Sequence, residues 1–96
     1  MPLSFHPEAE AEFDIAFHWY ENQKEGLGTE FVLCVNQTIE FIMHYPELHP
    51  IAHNQIRKTL VRRFPFTVLY KNMESGIRVI AVYHSKRNPA RWQTRK

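Results

Sequence analysis

The first half of the chain carries apolar residues at the spacing of a helix. The series that starts after Pro7 comprises Ala9, Phe13, Ala16, Phe17 and Tyr20. Such spacing places the apolar side chains on one face of an α-helix. Proline is tolerated at the first helical position, and the glutamates that follow Pro7 suit the positive end of the helix dipole. The pattern predicts a helix that begins at Pro7 and is broken by the glycines at Gly26 and Gly28.

A second apolar series predicts another helix, from about residue 29 to residue 45. Its members are Phe31, Val35, Thr38, Ile39 and Ile42, with Cys34 and Phe41 beside them. Pro46 and Pro50 follow, and proline does not continue a helix. Because the link between the two helices is short and contains glycine, we expect them to pack antiparallel as a hairpin.

The second half of the chain is typical of β-strands. β-Branched and aromatic residues are concentrated in residues 56–64 and in the compact run 66–70, as strands prefer. Residues 77–83 carry apolar residues on both alternating faces, which indicates an interior strand covered on both sides. We expect a turn at residues 72–76 and a short edge strand at residues 3–6. Helices first and strands after indicate an α+β domain.

Length and composition fit one folded domain that spans residues 1–96. A chain of 96 residues builds a single core, and its 44% hydrophobic and 14% aromatic content argues against disorder. The lone Cys34 cannot form an internal disulfide. No apolar run approaches the roughly 20 residues of a membrane-spanning helix, and the N-terminus lacks the pattern of a secretory signal. We therefore expect a cytoplasmic protein with no membrane partner.

Charge is distributed very unevenly along the chain. Residues 57–96 hold eleven lysines and arginines and one acid, Glu74, whereas residues 1–56 hold nine acids and one base, Lys24. The formal net charge of +2 therefore conceals a strongly basic C-terminal segment and an acidic N-terminal one. Such asymmetry favours a polyanionic or acidic partner and a basic working surface.

Four segments carry a resemblance to a known family. They are Trp19-Tyr20-Glu21, Gly26-Leu27-Gly28, and the runs RFPFTVLY at residues 63–70 and IRVIAVYHSKRNPARW at residues 77–92. Their order over nearly the whole chain resembles the RelE/ParE superfamily of toxins from bacterial type II toxin–antitoxin systems, of the plasmid-stabilisation type. The resemblance implies an N-terminal two-helix hairpin packed on a twisted, mainly antiparallel sheet of three to four strands. It also implies a growth-inhibiting toxin with a basic surface and a cognate acidic antitoxin as partner.

The family divides by target. RelE-like members are metal-independent endoribonucleases that cut mRNA on the ribosome, whereas ParE-like members inhibit DNA gyrase. Cleavage of RNA by its own 2′-OH needs a proton acceptor, a proton donor and cations on the phosphate. Arginines could converge on a phosphate in this chain, and the candidates for phosphate or target contacts are Arg62, Arg63 and Arg87. Further candidates for target binding are Arg57, Lys58, Arg78, Lys86, Arg91, Trp92 and Arg95.

His84 is the one candidate for proton transfer. RelE-like nucleases resemble each other in a catalytic tyrosine or histidine near the C-terminus, yet here no tyrosine follows Tyr83 and no histidine follows His84. A histidine suits either role near neutral pH, but one placed just after a strand often holds a turn through a hydrogen bond. The departure from the nuclease pattern favours the ParE-like function. Loss of the basic tail from Asn88 onward is predicted to abolish toxicity.

For the remaining candidate residues the sequence predicts structural roles. His44, His49 and His53 invite comparison with a metal site, but Pro50 lies between two of them and no cysteine is near. We therefore predict neither a metal nor a cofactor. Trp19 and Tyr20 are predicted to be core or interface residues, and Cys34 is predicted to be buried and inert.

Three functions from different classes stay open on the sequence alone, and they leave open whether the chain is an enzyme. The favoured one is a ParE-like growth inhibitor that binds DNA gyrase. The first alternative is a RelE-like endonuclease that acts on ribosome-bound mRNA, supported by the basic strand and His84. The second is a non-catalytic nucleic-acid-binding module with salt-dependent affinity. It ranks last because its bases lie on predicted strands and a tail, with no recognition helix.

Overall fold

The fold consists of a helical hairpin, a five-stranded sheet and a short C-terminal helix. The computed structural model describes residues 2–96. Its elements are β1 (Leu3–Phe5), α1 (Pro7–Gln23), α2 (Leu27–His44), β2 (Ile51–His53), β3 (Ile56–Leu60), β4 (Phe66–Met73), β5 (Gly76–His84) and α3 (Ala90–Gln93). No helix among these residues is both long and apolar enough to span a bilayer.

The helical hairpin forms as predicted, with a shorter link. α1 ends at Gln23 and α2 begins at Leu27, two residues before the expected start. Gly26 adopts a φ of 87°, which glycine reaches without steric cost. The Glu21 carboxylate accepts hydrogen bonds from the backbone N–H groups of Gly26 (3.0 Å) and Gly28 (2.9 Å). These bonds satisfy amides that the start of a helix otherwise leaves unpaired.

The sheet has the order β1-β5-β4-β3-β2. β1 runs parallel to β5 and every other pair is antiparallel, so the sheet is mixed but mainly antiparallel. As predicted, β5 is an interior strand, and it is buried along nearly its whole length. The sheet has five strands, whereas three to four were expected. β2 was missed because its three residues are mostly exposed and show no alternation of buried and exposed positions.

Both faces of the sheet are covered, to different extents. The face toward α1 and α2, here called the helix face, carries the main core, in which the Phe31 ring lies 5.0 to 5.9 Å from the rings of Phe13, Tyr20, Phe64 and Phe66. Such ring pairs contribute about 0.5–1.5 kcal/mol each beyond the area they bury. The opposite face, here called the open face, has a smaller core of Ile56, Leu69, Ile80, Ala81, Tyr83 and Trp92. The short α3 is therefore attached to the open face through Trp92.

Candidate functional site

Three bases lie on the open face of the sheet. Lys58 is paired with Leu69, a member of the open-face core. Lys71 and Arg78 are paired with each other across β4 and β5. Each directly follows a residue of the helix-face core on its strand, so it lies on the opposite, open face. β3, β4, β5 and α3 contain no acidic residue. These cations therefore have no carboxylate beside them on their own elements. Lys71 was not singled out from the sequence, although it follows Leu69 at the two-residue period of a strand.

Arg78 and Lys58 differ in how far they are already engaged. Arg78 Nε donates to the backbone oxygen of Lys96 at 3.1 Å, and its Nη1 lies 3.4 Å from Ser4 Oγ. Lys58 is exposed and lines a depression of about 280 Å³ on the open face. The same depression is lined by Thr67, His84 and Ser85. Lys58 is thus the more available of the two cations.

His84 closes the turn after β5. Its Nδ1 accepts a hydrogen bond from the backbone N–H of Lys86 at 3.2 Å. The centroid of its ring lies 5.4 Å from that of Phe66, and Phe66 is its pairing partner across the sheet. The backbone N–H of Ser85 donates to Pro65 at 2.9 Å, which joins the turn to the start of β4. These contacts give His84 the structural role that a histidine after a strand often has.

Arg62 and Arg63 lie in the turn between β3 and β4 and are both exposed. They line a depression beside α2 together with Glu30, Leu33, Cys34 and Gln37. Arg63 has a positive φ of 71°, and its Nη2 is 3.9 Å from Glu30 Oε2, a weak surface ion pair.

Arg87 lines a different cavity, which it shares with His84. This cavity is a groove of about 440 Å³ between α1 and the ends of β4 and β5. The phosphate-contact candidates therefore occupy one end of the sheet but not one pocket. Lys86 is exposed in the same turn as Arg87, and Arg91 is exposed on α3.

Arg95 is the clearest correction to the predicted target-binding residues. Its guanidinium is 6% exposed and pairs with Glu12 of α1, through Nη2 to Oε2 at 2.8 Å and Nη1 to Oε1 at 2.9 Å. Nη1 also donates to the carbonyl of Ile80 at 3.1 Å. Nε is 3.3 Å from Glu8 Oε2, an ion-pair distance, although it makes no hydrogen bond. The hydrogen bond to Glu12, more than any other contact, raises the pKa of Arg95.

Trp92 is a second correction, because it is 6% exposed within the open-face core and does not present its ring to a partner. Trp19, predicted to lie in the core or an interface, is 58% exposed and therefore lies outside the core. Cys34 is buried, as predicted.

Arg57 also serves the fold. It is paired with Tyr70 on the helix face, and its Nη1 donates to the carbonyls of His49 (2.7 Å) and Glu47 (3.2 Å). The Tyr70 hydroxyl donates to the carbonyl of Pro46 at 2.9 Å and contacts His49 Nδ1 at 3.0 Å. Burial, with the charge of Arg57, lowers the pKa of His49, and burial raises the pKa of Tyr70. The network fixes the loop between α2 and β2 with both side chains neutral.

Within residues 2–96, no three histidine, cysteine or carboxylate side chains lie together in a group that could hold a metal ion. The histidines at positions 44, 49 and 53 are engaged separately, with a carbonyl, a tyrosine and an asparagine.

A solved structure shares the fold of this chain. No protein-family model and no curated protein matches the sequence. A solved structure described as "Chromosomal ParDE TA system from P. aeruginosa" matches with a TM-score of 0.76 at 15% identity. The match covers 90% of this chain and 97% of the other. At 15% identity the likeness shows the fold alone, and the conclusion is that this chain has the fold of a chain in that ParDE structure.

Proposed function

We propose that this chain is the toxin of a bacterial type II toxin–antitoxin system and arrests growth in the cytoplasm by binding its target. The fold likeness to a toxin–antitoxin structure is the observation that carries the proposal. The exposed bases on the open face and at the adjacent sheet end supply the target surface. Of the residues offered from the sequence, the exposed ones are Lys58, Arg62, Arg63, Lys86, Arg87 and Arg91. Arg78 and Lys71 are half-buried on the open face.

Binding is favoured over chemistry because of the surroundings of His84. A general base needs a free acceptor atom for the proton that it takes. Because His84 Nδ1 accepts from the Lys86 amide, the neutral ring carries its proton on Nε2 and has no free acceptor nitrogen. Arg62 and Arg63 line a cavity that His84 does not. A ParE-like inhibitor, with DNA gyrase as its target, needs a complementary basic surface but no proton relay.

One observation favours the alternative, a RelE-like endoribonuclease acting on ribosome-bound mRNA. His84 lines the same open-face depression as Lys58, where the hydroxyls of Thr67 and Ser85 are 3.0 Å apart. The depression thus holds a cation for the phosphate and one of the two proton-transfer groups that metal-free cleavage of a phosphodiester needs.

The substitution His84→Gln separates the two mechanisms. We expect the variant to stay toxic, because glutamine can accept the Lys86 hydrogen bond and no proton transfer is needed. An enzyme that used His84 would lose about 10²–10⁴-fold of its rate. Growth after induction and primer-extension mapping of mRNA ends are the measurements. A folded but harmless His84→Gln protein, accompanied by loss of mapped cuts, would establish the endoribonuclease instead.

Expression in bacteria tests the proposed function itself. We expect induction of the chain alone to arrest growth and co-expression of a short acidic protein from the neighbouring reading frame to restore it. Colony counts after induction measure both effects. Normal growth at verified expression of folded protein would remove the toxin assignment altogether.

A further inference from the structure

The side of α2 that faces away from the core carries large apolar side chains. Leu33 is 56% exposed, Phe41 is 44% exposed, and Tyr45, directly after α2, is 55% exposed. Leu33, Gln37 and Phe41 follow one another at intervals of four residues and therefore share one side of the helix. These three residues and Tyr45 are here called the α2 outer face. Adjacent exposed apolar residues of this size mark interaction surfaces.

Two shallow depressions lie on the α2 outer face and meet at Gln37. The first has a volume of about 320 Å³ and is lined by Phe41 and Glu40. The second has a volume of about 220 Å³ and is lined by Leu33 and Arg62. Gln37 lines both depressions. A helix surface on which side chains alternate with depressions can interlock with a second helix.

The charges beside the α2 outer face have opposite signs at its two ends. Arg62 and Arg63 flank the end nearest the start of α2. Arg62 makes no ion pair within residues 2–96, and Arg63 has only the weak pair with Glu30. At the other end Glu40 is exposed beside Phe41, and among the described residues it has no cationic partner. The surface thus has a cationic end, an uncharged middle and an anionic end.

A second copy of the chain, turned by 180° about an axis perpendicular to α2, complements this arrangement. Antiparallel packing of the two α2 helices brings the cationic end of each copy to the anionic end of the other, whereas parallel packing opposes like charges. An axis between the levels of Gln37 and Phe41 places these two residues against each other across the contact. The same axis places Leu33 against Tyr45 of the second copy. Such a contact is isologous and closes with two copies.

We propose that the chain forms a twofold dimer in which the α2 outer faces of two copies pack antiparallel. The apolar side chains are buried in the contact, and Arg62 and Arg63 of each copy pair with Glu40 of the other. Both open faces stay uncovered, because they lie on the far side of each sheet from α2. The dimer needs neither an antitoxin nor a target, so the inference is independent of the proposed function.

The contact is small, so the dimer is expected to dissociate on dilution. From Leu33 to Tyr45 the chain advances about 18 Å along the helix axis, and a contact along one side of one helix lies at the low end of interface sizes. We expect a monomer–dimer equilibrium with a Kd in the micromolar range. Sedimentation equilibrium of the full chain over a series of concentrations measures the Kd.

Single substitutions on the α2 outer face should dissociate the dimer. Phe41→Asp places a carboxylate in the centre of the contact, and Leu33→Ser removes an apolar side chain. Because a twofold contact contains each position twice, we expect either change to raise the dimer Kd by at least about 10-fold. The control is Ile15→Asp on α1, where Ile15 is 69% exposed and lines neither depression. It should leave the Kd within about twofold. Circular dichroism verifies the fold of each variant.

A mixing experiment tests the antiparallel arrangement itself. Arg62→Glu, Arg63→Glu opposes carboxylates across the contact, and Glu40→Lys opposes cations, so each variant alone should raise the Kd by about 10-fold or more. Mixing the two variants restores opposite charges at both ends, and we expect a heterodimer as stable as the wild-type dimer. The triple variant restores them within one chain and should dimerise. Its toxicity therefore reports target contact alone.

Several results would overturn the dimer. They are a chain that stays monomeric at every concentration, a Phe41→Asp or Leu33→Ser protein that dimerises like the wild type, dissociation by Ile15→Asp, and failure of the two charge variants to associate when mixed. Assembly beyond two copies would also overturn it, because a twofold contact closes. A wild-type chain that dimerises through α2 and yet proves harmless would support the dimer and refute the toxin assignment alone.

Discussion

Replacement of Arg95 by methionine is expected to lower the free energy of unfolding by about 3 kcal/mol, at the low end of the range for breaking a buried ion pair. The variant leaves the Glu12 carboxylate, which is 21% exposed, with only the Val82 amide as a hydrogen-bond partner. It also frees the end of the chain from α1. Urea denaturation followed by circular dichroism measures the loss, provided that the free energy of unfolding falls with urea concentration at the same slope in both proteins.

Two further variants make the Arg95 measurement specific. Lys96→Met removes an exposed positive charge one residue away and should change stability by less than about 0.5 kcal/mol. Glu12→Leu combined with Arg95→Met should cost less than Arg95→Met alone, because no unpaired buried charge remains. A cost below about 1 kcal/mol for Arg95→Met would show that the pair contributes little to stability.

The Glu12–Arg95 ion pair affects how a truncation before Asn88 is interpreted. The sequence suggested that truncation abolishes toxicity by removing basic contacts to the target. In the structure it also removes Trp92 from the open-face core and Arg95 from Glu12. Loss of toxicity would then report unfolding, so exposed charges have to be changed one site at a time.

Reversal of charge at Arg62 and Arg63 is expected to abolish growth arrest while the fold is retained. Both side chains are exposed, and the ion pair of Arg63 with Glu30 spans 3.9 Å. The variant Arg62→Glu, Arg63→Glu should therefore change stability by less than about 0.5 kcal/mol per site. Opposed charge at a binding surface, by contrast, slows association and weakens a complementary complex. Colony counts after induction measure the effect.

Lys24→Glu is the control for charge alone. Lys24 is exposed and lies in the link after α1, and it is the single base of residues 1–56. Its reversal should leave growth arrest intact. Full toxicity of a folded Arg62→Glu, Arg63→Glu protein would exclude this turn from the target surface.

The helices and the interior strand could be predicted because each repeats its apolar residues with its own period. α2 places Phe31, Val35, Ile39 and Ile42 in the core, and β5 is buried on both faces. β2 could not be predicted, since its three exposed residues lack any period and gain order only from pairing with β3. The predicted start of α2 is two residues late because Gly28, like Gly26, is typical of a helix break, whereas α2 begins at Leu27.

The site was harder to predict than the fold because charge along the chain does not show pairing in space. Glu12 and Arg95 are 83 positions apart in sequence, so nothing local indicated that the last arginine neutralises an acid of the first helix. Arg57 looked like its neighbour Lys58, yet strand alternation sends the two to opposite faces. For Leu33 and Phe41 a signal did exist, since both are apolar and neither belongs to the predicted core series of α2.

Growth arrest by binding of DNA gyrase and growth arrest by mRNA cleavage leave different traces in induced cells. A reporter plasmid and total RNA are taken from the same culture, and plasmid supercoiling and mRNA 5′ ends are measured together. We expect relaxed or cleaved plasmid at the onset of growth arrest, with no new 5′ ends within coding regions. Unchanged supercoiling together with new, ribosome-dependent mRNA ends would contradict this expectation.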